Sequence, residues 1–410
     1  MLEKEYLSSK EAIKKILSHI PFRALSFEEV LIEEAYNRVT YEDIVSPEDL
    51  PGFERSTVDG FAINAEDTFG AKETTPVYLN YKGEVPMGEA PSFEIKRGEC
   101  VYIHTGGMLP SGANAVVMVE HANLVGNSLV EVFKSVSPYE NVILKDEDVK
   151  KGEIIINAGR RLKPHDIGAL AGLGITKIKV VKKPKVGIIL TGDEIIPHTE
   201  KVTPGKVRDI NSFTLYGLIK EIGAEPKKFG IVNDNYEEIK KLVEFAFSTC
   251  DVILVTGGTS AGTKDMTYQI INELGRPGVI FHGVSIKPGK PIICGICNNK
   301  PVFGLPGHPV AVYICFILFV KPVIEKLMGI TQQKFSCKIK AILEKSLSSQ
   351  AGREDYIRVS LKKENSLIKA IPLLTKSGLI FSLVKADGIL KIPEDLLGFS
   401  KGEEVEIELI

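Results

Sequence analysis

Asp251-Val-Ile-Leu-Val-Thr-Gly-Gly-Thr-Ser-Ala-Gly-Thr-Lys-Asp265 is the stretch that decides how this chain is read. Val252 to Val255 are apolar without alternation, the pattern of a parallel strand covered on both faces. Met266, Ile270, Ile271 and Leu274 then recur at helical spacing, so a helix is expected from Asp265 onward. Between the two, Gly257, Gly258 and Gly262 would let backbone amides approach an anionic ligand, and with Ser260 they are the candidate binding positions of the turn. The turn is not a Walker A loop, because Thr263 stands where the lysine belongs and Lys264 follows one residue late. Taken alone, the segment is satisfied equally by a bare strand-to-helix turn and by a phosphate cradle.

Strands and helices alternate on either side of it. Val186 to Leu190 reads as a buried strand, Asn211 or Ser212 can cap a helix through Ile222, Phe229 to Val232 is a second strand and Tyr236 to Phe247 a second helix. Strands follow at Val279 to Val284, Ile292 to Gly295 and Val302-Phe303, then a helix from Pro309 to Met328. This alternation predicts an α/β domain over residues 182–330, a doubly wound, mostly parallel sheet. Residues 46–144 carry short β-branched runs between Gly and Pro turns and are expected to form a β-rich domain. Residues 1–45 look helical, from Ala12, Ile13, Ile16 and Leu17 and again from Leu31, Ile32 and Ala35. With residues 145–181 they are expected to make a small α+β linker domain. Residues 331–410 return to short strands and predict a C-terminal β-barrel-like domain.

Composition narrows the class. The chain has 410 residues, 44% hydrophobic and 25% charged, with a formal charge of -2, so a globular multidomain protein is expected and nucleic acid is not an expected partner. The N-terminus carries acids where a signal peptide carries basic residues, and the apolar run Val310 to Val320 is well short of the ~20 residues that span a bilayer. A cytoplasmic protein without membrane contact is expected. The six cysteines are scattered, and Cys294-Gly-Ile-Cys297, lacking a second pair and ending at the Asn298-Asn299 turn, reads as core thiols rather than a metal or redox site.

In an open α/β sheet, ligands bind beyond the carboxyl ends of the strands, and there this chain places its polar residues. The first strand ends in Thr191-Gly-Asp-Glu194, the second in Asn233-Asp-Asn235, the third in the glycine turn and Asp265. The fourth ends in Ser285-Ile-Lys-Pro-Gly-Lys290, and the last runs into Gly304-Leu-Pro-Gly-His-Pro309. Glu194, Asp234 and Asp265 supply oxygen ligands suited to Mg²⁺, although Asp234 and Asp265 could equally cap helices. Lys287 and Lys290 supply positive charge for an anion, on a loop stiffened by Pro288 and Pro291. Together these groups fit a Mg-assisted reaction at a phosphate or another oxyanion. Leu50 to Ala62, with Asp59, and His104 to Pro110 are irregular loops that turn structure alone would explain.

These segments, in order, resemble the molybdopterin molybdenumtransferase family, the MoeA-like proteins related to the gephyrin E domain. The resemblance rests on Leu50-Pro-Gly-Phe with Ser56-Thr-Val-Asp-Gly-Phe-Ala62, His104-Thr-Gly-Gly107, Thr191-Gly-Asp-Glu194, Thr256-Gly-Gly-Thr-Ser-Ala-Gly262, Lys287-Pro-Gly-Lys-Pro291 and Gly304-Leu-Pro-Gly-His-Pro-Val310. It gives a place as well to Gly352-Arg-Glu-Asp-Tyr-Ile-Arg358 and to Ser377-Gly378. The resemblance implies a homodimeric enzyme of molybdenum cofactor biosynthesis that inserts molybdate into adenylyl-molybdopterin, with Mg-dependent anhydride cleavage and release of AMP. Glu194, Asp234 and Asp265 would surround the metal and pyrophosphate. Lys287, Lys290, Arg353 and Ser377 would receive the oxyanion, Pro306 and Pro309 would shape the substrate loop, and Asp59 and Thr105 would enter the cleft from the other subunit. The molybdopterin adenylyltransferase, which shares the α/β domain, becomes a candidate partner. A silent binding or scaffold homologue and an adenylyltransferase are the competing readings; the acids argue against the first, the flanking β domains against the second. His308, where the family often has asparagine, is a departure, and molybdate is not distinguished from tungstate.

Overall fold

The computed structural model describes residues 6–20, 25–257, 261–331 and 338–410, apart from the side chains of 261–265. Its backbone divides into two compact units. One comprises Met1–Glu42, Ala158–Lys163 and Lys177–Ile410; the other comprises Asp43–Asn157 and Pro164–Thr176.

The larger unit is built on a six-stranded sheet made of β1 (Lys185–Thr191), β2 (Glu225–Val232), β3 (Val252–Gly257), β4 (Pro277–His282), β5 (Ile293–Cys297) and β6 (Lys300–Leu305). The spatial order is β2-β1-β3-β6-β5-β4. β2, β1, β3 and β6 are parallel, while β5 runs against both neighbours. β5 and β6 are joined by Asn298-Asn299, both at positive φ, as a two-residue hairpin demands.

Alternate residues of the strands feed two cores. Ile188, Leu190, Leu254 and Phe303 face α1 (Asn211–Glu221) through Leu215, Leu218 and Ile219. Ile189, Ile253 and Val255 face α2 (Tyr236–Thr249) and α3 (Ala261–Leu274) through Ile239, Val243 and Ile270. Helices therefore cover both sides, and the doubly wound, mostly parallel expectation holds. Cys294 belongs to the first core and Cys297 to the second, because an odd spacing along a strand separates faces. The CxxC pair cannot act as one site. Burial pushes the Cys297 thiol up to about 11 and Cys294 still further.

The C-terminal strands Lys338–Leu343, Glu354–Glu364, Leu367–Pro372, Gly388–Ile392 and Glu404–Leu409 form a closed five-stranded barrel. Closure follows from the long Glu354–Glu364 strand, which pairs with Leu367–Pro372 along one part and Gly388–Ile392 along another. Val359, Leu390, Ile392, Val405 and Ile407 fill its interior. The smaller unit holds a six-stranded sheet that includes Gly60–Ile63, Val77–Val85 and Glu99–Ile103, as the β-rich expectation required, although Gly60–Ile63 corrects the reading of Leu50 to Ala62 as an irregular loop: its Gly and Ala leave little apolar alternation to see.

Four further local expectations need correction. Phe27–Leu31 is a strand paired with Lys177–Val181, followed by a single 3-10 turn, Ile32–Glu34; the apolar pattern there is too short to separate strand from helix. α3 begins at Ala261, so Asp265 lies within the helix rather than before it. The first turn needs no intrahelical acceptors for its N–H groups, which makes its start invisible to apolar periodicity. The helix after Pro309 is α4 (Pro309–Cys315), then a π turn, Phe316–Val320, then Lys321–Leu327. The widened turn directly precedes Pro322, which has no N–H to donate to the carbonyl of residue 318. Finally, neither Asn211 nor Ser212 caps α1: the N-cap position is Ile210, and Asp209 before it accepts from the Ser212 amide at 2.9 Å and from its hydroxyl. Among the described residues, no helix is long and apolar enough to cross a membrane.

Gly257 closes β3 opposite Thr191 of β1, at φ +137°, where a Cβ would overlap the Thr191 carbonyl oxygen. Gly257→Ala is therefore expected to destabilise the larger unit by at least ~2 kcal/mol, through backbone strain and overpacking together. Thermal unfolding followed by circular dichroism checks this; an unchanged midpoint would contradict the packing described here.

Candidate functional site

A cleft of about 1220 Å³ opens at the carboxyl edge of the sheet within the larger unit. Gly257 at the end of β3 lines it, together with the loops Ser285–Pro291 and Gly304–His308, residues 350–353, and Ser377. Lys287, Lys290, Arg353 and His308 all reach it, and no carboxylate stands among its described lining residues. Three cations over one concavity, with no carboxylate among its described lining residues, focus a positive potential that attracts anions.

Each cation is placed by a distinct contact. Ile286–Lys287 leaves the α/β sheet and adds in parallel to the barrel strand, with Ile286 opposite Glu354 and Lys287 opposite Asp355. That pairing brings Lys287 to the strand that carries Asp355 and starts directly after Arg353. Arg353 is fixed by a two-pronged ion pair, Nε to Asp355 Oδ1 at 2.8 Å and Nη2 to Oδ2 at 3.3 Å, while Nη1 donates to Gln350 Oε1 at 2.9 Å. Asp355 is buried, and the bidentate geometry holds the guanidinium plane while its outer part still reaches solvent. Lys290 lies over the ring of Tyr6, its Nζ 4.2 Å from the centroid.

The Gly304–Pro309 loop is clamped from beneath. The Thr256 hydroxyl donates to the Pro306 carbonyl at 3.0 Å, and the Asn211 side-chain amide donates to the Gly307 carbonyl at 2.8 Å. Asn211, expected as a helix cap, is instead a buried loop clamp. Pro306 lines the cleft, whereas Pro309 is buried at the first turn of α4 and lies outside the lining. His308 Nδ1 and Ser377 Oγ are 2.9 Å apart, and the Ser377 carbonyl accepts the Val310 amide at 3.1 Å. The loop that carries Ser377 is anchored by buried Arg358, which donates to the Thr375 carbonyl at 2.6 Å and its hydroxyl at 3.1 Å. Its desolvation depresses the guanidinium's affinity for a proton, and its Nε finds no partner among the described residues.

The expected acids lie elsewhere. Glu194 is exposed and Asp234 half-buried on the adjoining loops after β1 and β2, and neither lines the cleft. Those loops are tied by the Gly192 amide donating to the Val232 carbonyl at 3.2 Å and the Asp234 amide donating to Asp193 Oδ1 at 3.1 Å. Gly258 and Ser260 fall outside the described residues; Gly262 and Asp265 are placed only as backbone of α3. Among the described residues no three acidic, His or Cys side chains converge on a metal-sized space.

Asp59 and Thr105 meet in the smaller unit. Asp59 Oδ1 accepts the Thr105 amide at 2.8 Å and lies 3.6 Å from His104 Nδ1, while His104 Nε2 is 2.7 Å from Glu84. The Thr105 N–H, foremost, holds the Asp59 carboxyl below its ordinary value.

Comparison with known proteins matches residues 7–174 to the "MoeA N-terminal region (domain I and II)", 187–326 to a "Probable molybdopterin binding domain" and 340–410 to the "MoeA C-terminal region (domain IV)". The molybdopterin molybdenumtransferase of Staphylococcus epidermidis is 31% identical over 405 residues, covering 98% of this chain and 95% of that protein. The chain belongs to the MoeA family. The Bacillus subtilis molybdopterin molybdenumtransferase is 32% identical across 93% of this chain and 89% of its own length. A crystal structure of the MoeA protein for molybdopterin biosynthesis from Pyrococcus horikoshii superposes with a TM-score of 0.85 at 38% identity, covering 99% of this chain and 100% of that one. The MoeA fold thus accounts for the full set of sheets and for the barrel beside the α/β domain.

Sequence reasoning missed Tyr6, Asn211, Gln350, Asp355 and Arg358 in this MoeA-family site. Asp355 and Arg358 stood inside a quoted motif without a role, and Asn211 was visible only as a cap. Tyr6 and Gln350 left no local signal, because their neighbours are distant in the chain.

The lowered Asp59 carboxyl yields a pH test. A depressed folded value means the Asp59–Thr105 contact stabilises the fold above the unfolded value and is lost as pH falls through the folded one. The Thr105 amide shift should therefore titrate with a midpoint below the ordinary 3.8. Heteronuclear NMR of the folded protein reads this directly, and a midpoint at or above the ordinary value would refute it.

Proposed function

We propose that this chain catalyses insertion of molybdate into adenylyl-molybdopterin with release of AMP, as a Mg-dependent molybdopterin molybdotransferase. The observation that carries the reading is the cleft with Lys287, Lys290 and Arg353 and no described carboxylate. Its relatives in Staphylococcus epidermidis and Bacillus subtilis, both molybdopterin molybdenumtransferases, support it. Molybdate is a tetrahedral dianion and the adenylyl phosphate is anionic, so both require the cationic and amide donors gathered here.

Lys287 and Lys290 act as point charges on the oxyanion, and Arg353, held by Asp355, offers its remaining N–H groups in a fixed plane. Ser377 and His308 add hydroxyl and imidazole donors at the opposite wall. Gly257 lets the end of β3 approach the ligand without a side chain between them.

Glu194 and Asp234, whose loops are linked at the same sheet edge, are the residues that would hold magnesium, with Asp265 as the expected third, because carboxylates are the hard ligands Mg²⁺ prefers. When bound, the ion would offset charge on the pyrophosphate and its leaving phosphate. A homodimer in the cytoplasm, supplied by the molybdopterin adenylyltransferase, completes the proposal.

The decisive assay follows AMP release from adenylyl-molybdopterin with Mg²⁺ and either molybdate or tungstate. Lys287→Ala and Arg353→Ala should each raise KM for molybdate roughly tenfold or more, since each removes a charge-assisted contact. Asp234→Ala should keep the folded circular dichroism spectrum and lose Mg-dependent release; full activity would remove the metal assignment. Light scattering of the same preparation tests the dimer.

A further inference from the structure

Tyr6 precedes every motif quoted above, yet it lines the cleft. Leu7 forms a parallel bridge with Val284, and its carbonyl accepts the Ser285 amide at 2.9 Å. Ser8 then caps the helix Ser9–His19 through a reciprocal box with Glu11. That helix is locked down by buried Ser9, Ala12 and Ile16. Tyr6 is thereby tethered through the residues that follow it. Its ring lies against Gly283, at φ +92°, where any Cβ would overlap the ring edge.

The ring face receives Lys290, with Nζ 4.2 Å from the centroid. Among the described residues no carboxylate pairs with Lys290, unlike Arg353 with Asp355. A carboxylate would hold the lysine but cancel the charge that an anion needs. An aromatic face restrains the ammonium through its quadrupole and leaves the net charge intact.

We propose that Tyr6 is the positioning residue for Lys290, holding the ammonium over the cleft so that its full charge is presented to an incoming tetrahedral oxyanion. The inference rests on reading the cleft as an anion site, so two readouts are used. In the first, the protein is reductively methylated with ¹³C-formaldehyde, and the Lys290 signal is identified by its loss in Lys290→Arg. That signal should be shifted upfield by the ring in the parent and in Tyr6→Phe, and should return to the common lysine position in Tyr6→Leu. A parent signal at the common position overturns the proposal.

In the second, AMP release is measured against molybdate concentration. Tyr6→Phe keeps the ring and should stay within about twofold of the parent, whereas Tyr6→Leu should raise KM roughly three- to tenfold with kcat little changed. In a Lys290→Ala background, Tyr6→Leu should add nothing further. A full Tyr6→Leu effect without Lys290 would mean the ring acts by packing alone and overturns the assignment. A parent that releases no AMP overturns the proposed function instead, and the ring shift still decides the Tyr6–Lys290 contact.

Discussion

Lys287, Lys290 and Arg353 repel one another, and the larger unit is arranged around that repulsion. Left on flexible loops, three like charges would turn outward into water, where screening weakens their joint field. Each is held by a different kind of contact: strand addition for Lys287, an aromatic face for Lys290 and a buried carboxylate for Arg353. Only one of the three holds introduces a counter-charge, and it sits behind the cleft rather than in it. The positive character therefore survives the fold that imposes it.

The strand Ile286–Lys287 shows how two domains share one site. It departs from the edge of a doubly wound sheet and pairs in register with the barrel strand Glu354–Glu364. The same backbone register that sets Lys287 opposite Asp355 ties its loop to the strand whose Asp355 holds Arg353. Relative sliding of the barrel would break ladder hydrogen bonds before it could separate the two cations.

The α/β domain was legible because its strands are apolar without alternation and its helices carry clear 3.6-residue spacing, both local signals. The ends of those strands were legible too, and Gly257, Lys287, Lys290, Pro306, Arg353 and Ser377 do come together. What escaped was non-local or belonged to helix ends. The start of α3 hides in a turn whose amides need no intrahelical partner. Phe27–Leu31 is a strand only because Lys177–Val181, far along the chain, lies beside it with Phe27 opposite Val181, a pairing that local composition does not signal. Tyr6 acquires meaning only through Gly283 and Lys290, and no spacing rule connects them. Asn211 shows the converse: a good capping residue whose amide was taken by a carbonyl in another loop.

The five described cysteines are all buried, and Cys294 and Cys297 point to opposite sides of one strand. Their sulfurs are protonated at neutral pH and shielded from solvent. A protein proposed to handle a dithiolene ligand thus offers that ligand no accessible thiolate for mixed-disulfide exchange from these five positions.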